Sequence, residues 1–364
     1  MSKIWISNIQ LERERGGHAA AWIIAFGLFT LVTTELFPVV VLNDIAHDLG
    51  VSAGTAGLTV TVPGLVAAAA APMVAARAQY ADRRSLLVAL LLLVAAGNLV
   101  TAVAPTILPV LLARVAVGIG IGGFWALAAG LAPQLVSEDQ VGRASSVIFG
   151  GAAAATVVGV PLSGTVADVF DWRVSAVMIA ALGATAALSI PLVVPSMPVG
   201  AAETTGPPGT GRAMRLAVGR NSTVLLVTLL IVVGHFTAFT FLAPVLENLA
   251  GVAPPHLPAV VLGYGAAALV GTFLAGRVVA THPRRAAQVV AATLALVVGS
   301  LALVGAGILA VAAVLVWGLF WGAVGVTLQL WLLRSSGPHA DLATSAYVSV
   351  FNVSIAGGSA LGGL

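Results

Sequence analysis

Hydrophobic positions along this chain come in long unbroken runs, not in the alternation of a half-buried strand or the narrow stripe of a surface helix. Eleven runs approach the roughly 20 apolar residues that a membrane-spanning helix needs. They lie at about 19–42, 54–76, 86–104, 107–133, 144–167, 174–194, 222–246, 258–280, 286–306, 308–333 and 342–364. Gly and Pro punctuate them freely, which helix bundles tolerate because neighbouring helices satisfy the freed backbone groups. The longest polar stretch, 195–221, is rich in Pro, Gly and Thr. It reads as a flexible cytoplasmic linker between a six-helix bundle (1–194) and a second bundle (222–364). The chain ends in Gly-Gly-Ser-Ala-Leu-Gly-Gly-Leu with no charge after the eleventh run. Twelve spans are therefore expected in the complete fold, with this chain stopping inside the eleventh; an eleven-span protein is the plainer alternative.

Composition agrees. Hydrophobic residues make up 59% of the 364 and charged residues 8%, whereas a soluble domain carries about 25% charge. Such a chain cannot cover a water-facing surface, so the fold class is an all-α membrane protein. A net charge of +3 would point to nucleic acid in a soluble protein. Here the basic residues sit in short loops between apolar runs. With the N-terminus in the cytoplasm, fourteen fall inside, from Lys3 to Arg334, one (Arg173) falls outside, and Arg114 lies within a span. That asymmetry orients a multi-pass protein of a bacterial-type inner membrane. There is no cysteine, which excludes disulfides, thiol catalysis and Cys-ligated metals. Neither a phosphate-binding glycine loop followed by Lys-Ser or Lys-Thr nor a metal-spaced His or carboxylate cluster is present. The run Gly118-Ile119-Gly120-Ile121-Gly122-Gly123 sits inside a span with no preceding strand, so it reads as helix packing. Enzyme chemistry, cofactors and ATP are not expected.

Ionisable groups inside spans are costly and are functional candidates by default. Glu35 in span one and Arg114 in span four each lie about seven residues from the outer end of their run, about 10 Å deep. An ion pair or shared hydrogen-bond network between them is expected, because a paired buried charge costs far less than a lone one. Without a transport role, that pair would still fix helix packing. His235, near the middle of span seven, could relay protons or simply bond a neighbouring carbonyl. Trp125, Phe124, Trp321, Phe236, Phe239 and Phe241 are candidate cavity aromatics able to stack on a flat solute, with core packing or lipid contact as the alternative. Asn98 and Gln329 could bind substrate hydroxyls or amides, or glue helices together. In span five, Gly159, Pro161 and Gly164 make a small, kinked face.

The two halves echo each other about 200 residues apart. Thr30–Pro38 resembles Thr237–Pro244, and Ala81-Asp82-Arg83-Arg84 resembles His282-Pro283-Arg284-Arg285. Gly123-Phe124-Trp125 parallels Gly318–Gly322, and Ser146-Val147-Ile148-Phe149 parallels Ser349-Val350-Phe351-Asn352. The common order supports parallel repeats with a site at their interface.

Taken together, Thr33-Thr34-Glu35-Leu36-Phe37-Pro38, Asp44–Ser52, Ala81–Arg84, Ala113–Gly118 with Gly122–Leu127, and Gly159–Gly164 with Asp171-Trp172-Arg173 resemble the drug:proton antiporter branch of the major facilitator superfamily. Within the branch the likeness is to bacterial sugar-efflux and purine-ribonucleoside-efflux permeases. The loop after span two departs from the family pattern: Ala75 or Ala76 stands where a Gly is usual, and Ser85 follows Arg84 directly. The resemblance implies a two-bundle fold that exports a small organic solute (drug, sugar or nucleoside) against protons by alternating access, as a monomer. It implies that Glu35 takes the proton, that Arg114 tunes it, that Asp82, Arg83 and Arg84 latch the cytoplasmic gate, and that Gly159, Pro161 and Gly164 form the antiporter motif that guards against leakage. Uncoupled facilitation of sugars or nucleosides, and a membrane sensor or scaffold that moves nothing, stand as alternatives.

Overall fold

The computed structural model describes residues 2–78, 80–196, 210–239, 242, 246, 252–253, 256–279, 281–301, 307–337 and 340–362. Among them all regular structure is helical. The first half comprises α1 (Ser2–Val40), α2 (Leu42–Asp48), α3 (Ala53–Ala78), α4 (Arg83–Val103), α5 (Ile107–Ala128), the single turn α6 (Ala132–Leu135), α7 (Val141–Ala154), α8 (Val160–Val169) and α9 (Trp172–Val193). After α10 (Thr210–Arg220) come α11 (Ser222–Phe239), α12 (Leu257–Val278), α13 (Pro283–Ser300), α14 (Ile308–Ser336) and α15 (Ala340–Gly362).

Nine helices among the described residues are long and apolar enough to cross a membrane. The remaining two runs expected from the sequence are helical as well, in α13 and α15; α13 opens on Pro283-Arg284-Arg285, which shortens its apolar stretch. The expected linker is in part ordered: residues 197–209 lie outside the described set, but Thr210–Arg220 is a helix. Its Met214, Ala217 and Asn221, spaced i, i+3 and i+7, face the bundle, with Ala217 and Asn221 buried. Arg220 donates to the Ser335 carbonyl, and Asn221 Oδ1 accepts from the Ser335 hydroxyl at 2.6 Å. That stretch is tied to the end of α14 and is not free.

The glycine runs are packing surfaces, as expected from their place inside spans. A Cβ on Gly118 would strike the Pro63 carbonyl at 2.7 Å, and one on Gly122 would strike the Ala67 carbonyl, so α5 lies directly on α3. In the second half Gly318 meets the Tyr264 carbonyl and Gly322 the Ala268 carbonyl, laying α14 on α12 in the same way. Small residues four apart permit this close backbone approach. The equivalence corrects one register read from the sequence: Gly118 and Gly122 match Gly318 and Gly322, so Trp321 corresponds to Ile121 and not to Trp125.

The halves meet through α3 with α15 and through α7 with α12. The Ser146 hydroxyl donates to the Thr272 carbonyl at 2.9 Å, and the Ser349 hydroxyl lies 2.7 Å from the Ala68 carbonyl. These are the two serines that the repeat pairs, each reaching into the opposite half. Around them the seam is tight. Gly276 lies against Gly142 and Ser146, Phe273 covers Gly150 at 2.9 Å from where a Cβ would stand, and Phe149 covers Gly325 at 2.8 Å. Arg83 closes the same end with an ion pair to Asp341.

Span five is broken. A wider π turn, Ala155–Gly159, separates α7 from α8. Pro161, second in α8, has no N–H to give the preceding turn, and a π turn is a usual way for a helix to absorb such a defect.

Candidate transport site

Glu35 lies on a stripe of α1 with Val32 and Val39, at i−3 and i+4, that passes from half-buried to exposed away from the Arg83–Asp341 end. Among the described residues its carboxylate meets no hydrogen-bond donor and no cation. The expected ion pair with Arg114 is not formed. Arg114 is fully buried, and its Nη1 donates to the Thr34 carbonyl at 3.1 Å, one residue before Glu35. Among the described residues its Nε and Nη2 have no hydrogen-bond partner. Asn98 converges on the same residue, its Nδ2 donating to Thr34 Oγ1 at 3.3 Å and to the Val94 carbonyl at 2.9 Å, while Asn98 Oδ1 goes unmatched. Thr34 is thus the hub that joins spans one, three and four. An unmatched buried donor or acceptor costs about 1–3 kcal/mol, so this arrangement favours a state in which something supplies an acceptor to Arg114.

The second half holds aromatics instead. His235 Nδ1 accepts from Trp317 Nε1 at 3.0 Å. Its ring lies flat on Trp321, with centroids 3.3 Å apart and planes 3° from parallel, and stacks on Phe239 at 5.0 Å. Phe236 stands edge-on to His235 at 4.9 Å, and Tyr264 packs on Phe239 and Trp317. Trp321, Phe236 and Phe239 are half-buried, while His235, Tyr264 and Trp317 are buried. Trp125 is half-buried and its ring meets Phe149 at 5.6 Å.

Three residues read as cavity lining are fully buried. Phe124 covers Gly27, with a ring carbon 2.6 Å from where a Cβ would stand, and so is core. Asn98 serves Thr34, as above. Gln329 donates to Thr344 Oγ1 at 3.1 Å, joining α14 to α15. Phe241 lies outside the described residues. At the start of α4, Arg83 pairs with Asp341, whereas Asp82 caps α4 by accepting from the Ser85 backbone N–H at 3.4 Å, also accepts from Ser85 Oγ at 3.0 Å, and lies 3.8 Å from Arg84. Of the span-five motif, Gly159 is pressed against Thr33 Oγ1 and the Phe29 ring; Gly164 makes an ordinary contact with Val40, and Pro161 is exposed. Sequence reasoning missed Thr34, Trp317 and Asp341. Asp341 was findable, as the last acidic residue of the chain and the opening of a span.

Residues 20–362 match the model of the Major Facilitator Superfamily. The chain belongs to that family. It is a multi-pass membrane transporter and not an enzyme. It is 31% identical over 355 residues to the purine ribonucleoside efflux pump NepI of Salmonella paratyphi C, covering 96% of this chain and 87% of the relative. A protein of Pseudomonas aeruginosa named transcription regulatory protein OpdE is 32% identical over 357 residues, covering 96% and 88%. Among solved structures, the human organic anion transporter MFSD10 (TETRAN) superposes with a TM-score of 0.69 at 16% identity, over 96% of this chain and 92% of that one; that likeness concerns the fold.

Proposed function

We propose that this transporter exports a small, flat organic solute, a purine ribonucleoside first of all, in exchange for protons. The reading rests above all on one observation: among the described residues the half-buried Glu35 has no partner, and it follows Thr34, whose carbonyl takes one bond from Arg114 while Arg114 Nε and Nη2 have none. Ionised Glu35 is the acceptor those donors lack. A proton on Glu35 removes that attraction, so protonation and cargo compete for the same state of the site.

The distribution of basic residues puts the Arg83–Asp341 end in the cytoplasm of a bacterial-type cell. The two bundles, divided at residues 195–221, then rock about the seam as a monomer in the bilayer. On this reading the Arg83–Asp341 end is the closed cytoplasmic one, and Glu35 takes its proton from the outer side. Arg83 is the latch, and Asp82 with Arg84 shapes the helix start that presents it. The NepI name favours a nucleoside over a sugar or an amphenicol-like drug. Trp125, Trp321 and Phe236 supply the aromatic wall, with the buried His235 behind Trp321, and Gly159 keeps α1 tight on span five.

The test uses inside-out vesicles with an imposed proton gradient, a panel of purine nucleosides, pentoses and amphenicols, and a pH-sensitive dye. Proton release on adding one class of compound, abolished by Glu35→Gln, is the expected result. Flux indifferent to the gradient would replace exchange with facilitated diffusion. No flux for any compound would leave the regulatory role that the OpdE name carries.

A further inference from the structure

Why does a transporter bury a histidine among four rings? Its surroundings leave it little to do with protons and much to do with geometry. Trp317 is 1% exposed and is held by Tyr264 and Phe239. Its indole N–H is donated to His235 Nδ1 at 3.0 Å, so the neutral ring carries its hydrogen on Nε2 and cannot turn about its bond without breaking that contact. The imidazole so fixed lies face to face with Trp321. Phe236 meets the Trp321 indole edge-on at 5.8 Å, and Phe351 lies tilted at 6.2 Å. Trp321 is therefore backed on one face and steadied at its edges, while remaining half-exposed. Unbacked, a tryptophan on a helix facing open space samples several rotamers, and each costs binding entropy when a ligand selects one. A backed indole with a free face is a preformed platform for a flat ring.

We propose that Trp321 is the stacking platform for a planar heteroaromatic cargo such as a purine, and that His235 is a positioning residue that holds it, pinned in turn by Trp317. The proposal rests on the transport reading for its cargo class. It gives His235 a role in cargo affinity and none in carrying protons. Stacking of a base on one aromatic side chain is sequence-tolerant and substantial, so the platform would select flat solutes over pentoses without reading every substituent.

The test is equilibrium binding of tritiated inosine to the purified protein in detergent at one pH, with ribose as the non-planar control. Trp321→Leu is expected to weaken inosine binding by about tenfold or more. His235→Ala should weaken it several-fold in the wild-type background and leave it unchanged in the Trp321→Leu background, because it acts through that ring. His235→Phe, which keeps a flat ring against the Trp321 indole but gives up the Trp317 bond, should recover part of the lost affinity; thermal melting of each variant confirms that it is folded. Equal losses from His235→Ala in both backgrounds, failure of His235→Phe to rescue, or wild-type protein that binds ribose as well as inosine would each overturn the proposal. Binding that behaves as expected in a protein showing no flux would sink the transport reading and leave the platform standing.

Discussion

The two halves of this protein share a scaffold and differ in what they put inside it. Gly118 and Gly122 lay α5 on α3 as Gly318 and Gly322 lay α14 on α12. Ser146 and Ser349 reach across the seam in opposite senses. At matching positions the chemistry parts. One turn before the first glycine of each pair stands Arg114 in the first half and Val314 in the second. By the spacing that relates Thr30 to Thr237, His235 corresponds to Leu28, a fully buried apolar residue. The first half keeps charge, with Glu35, Arg114 and Asn98 around Thr34; the second keeps rings, with His235 between Trp321 and Phe239. Close backbone contact constrains glycines alike in both halves, whereas the positions around them are free to diverge. Charged groups and stacked rings thus stand in opposite halves.

The largest expected effect tests the shared scaffold. Gly122→Leu and Gly322→Leu would each drive a side chain into a backbone carbonyl of the adjacent helix, where nothing flexible can yield. Each should cost about 3 kcal/mol or more, at the upper end of overpacking. Thermal unfolding in detergent measures this, and a variant that melts like wild type at one site only would break the equivalence of the two halves.

The next effect tests the seam. The Arg83 and Asp341 side chains are 16% and 29% exposed, so their bond is partly withdrawn from water. Losing a hydrogen bond between charged groups costs about 1.5–3 kcal/mol. Asp341→Asn should therefore open the latch end by roughly tenfold or more in population. The chain has no native cysteine, so a single Thr344→Cys, at a position buried opposite Gly130, reports opening by its rate of maleimide labelling. An unchanged rate would mean that the serines and glycines hold the seam without the latch.

Much of this was legible in the sequence. The spans, the repeat, the family resemblance and the isolation of Glu35 and Arg114 all follow from apolar runs and the rarity of charge within them. What escaped follows from the limits of one-dimensional depth. Two residues at equal depth on different helices need not face each other, so the Glu35–Arg114 pair resolved into a bond from Arg114 to the Thr34 carbonyl. Apolar aromatics carry no mark that separates wall from core, so Phe124 was read as lining although it fills the space over Gly27. Asp82 stood in a charged cluster, but helix capping claimed it, and the bond across the seam fell to its neighbour Arg83. The polar stretch after span six contains an i, i+3, i+7 face that composition alone obscured.

The smallest effect separates two ion pairs that look alike. Arg83–Asp341 joins the halves, and the proposed alternating access would have to break it. Arg173–Asp48, at 2.9 Å, joins helices within the first half: Asp48 Oδ2 also accepts from Trp172 Nε1 at 2.9 Å, and Arg173 reaches the Ala104 carbonyl at 3.3 Å. This clamp ties the ends of spans one, three and six that lie away from the Arg83–Asp341 pair, and nothing in the proposed cycle requires it to open. The Trp172 indole N–H, then His47 and the Arg173 guanidinium, hold the Asp48 carboxyl below the usual carboxylate range. Because its folded value is depressed, its stabilisation is present above the unfolded value of about 4 and is lost as pH falls through the lower folded value. About a third of each side chain is exposed, so Asp48→Asn should cost at most about 1 kcal/mol at neutral pH. The melting temperatures of wild type and variant should converge on acidification below about pH 4. Labelling at Thr344→Cys should not change with Asp48→Asn, since the clamp lies inside one bundle. A faster rate there would mean that the outer end of the first half moves with the gate, and that the bundle is not the rigid unit the comparison of the halves implies.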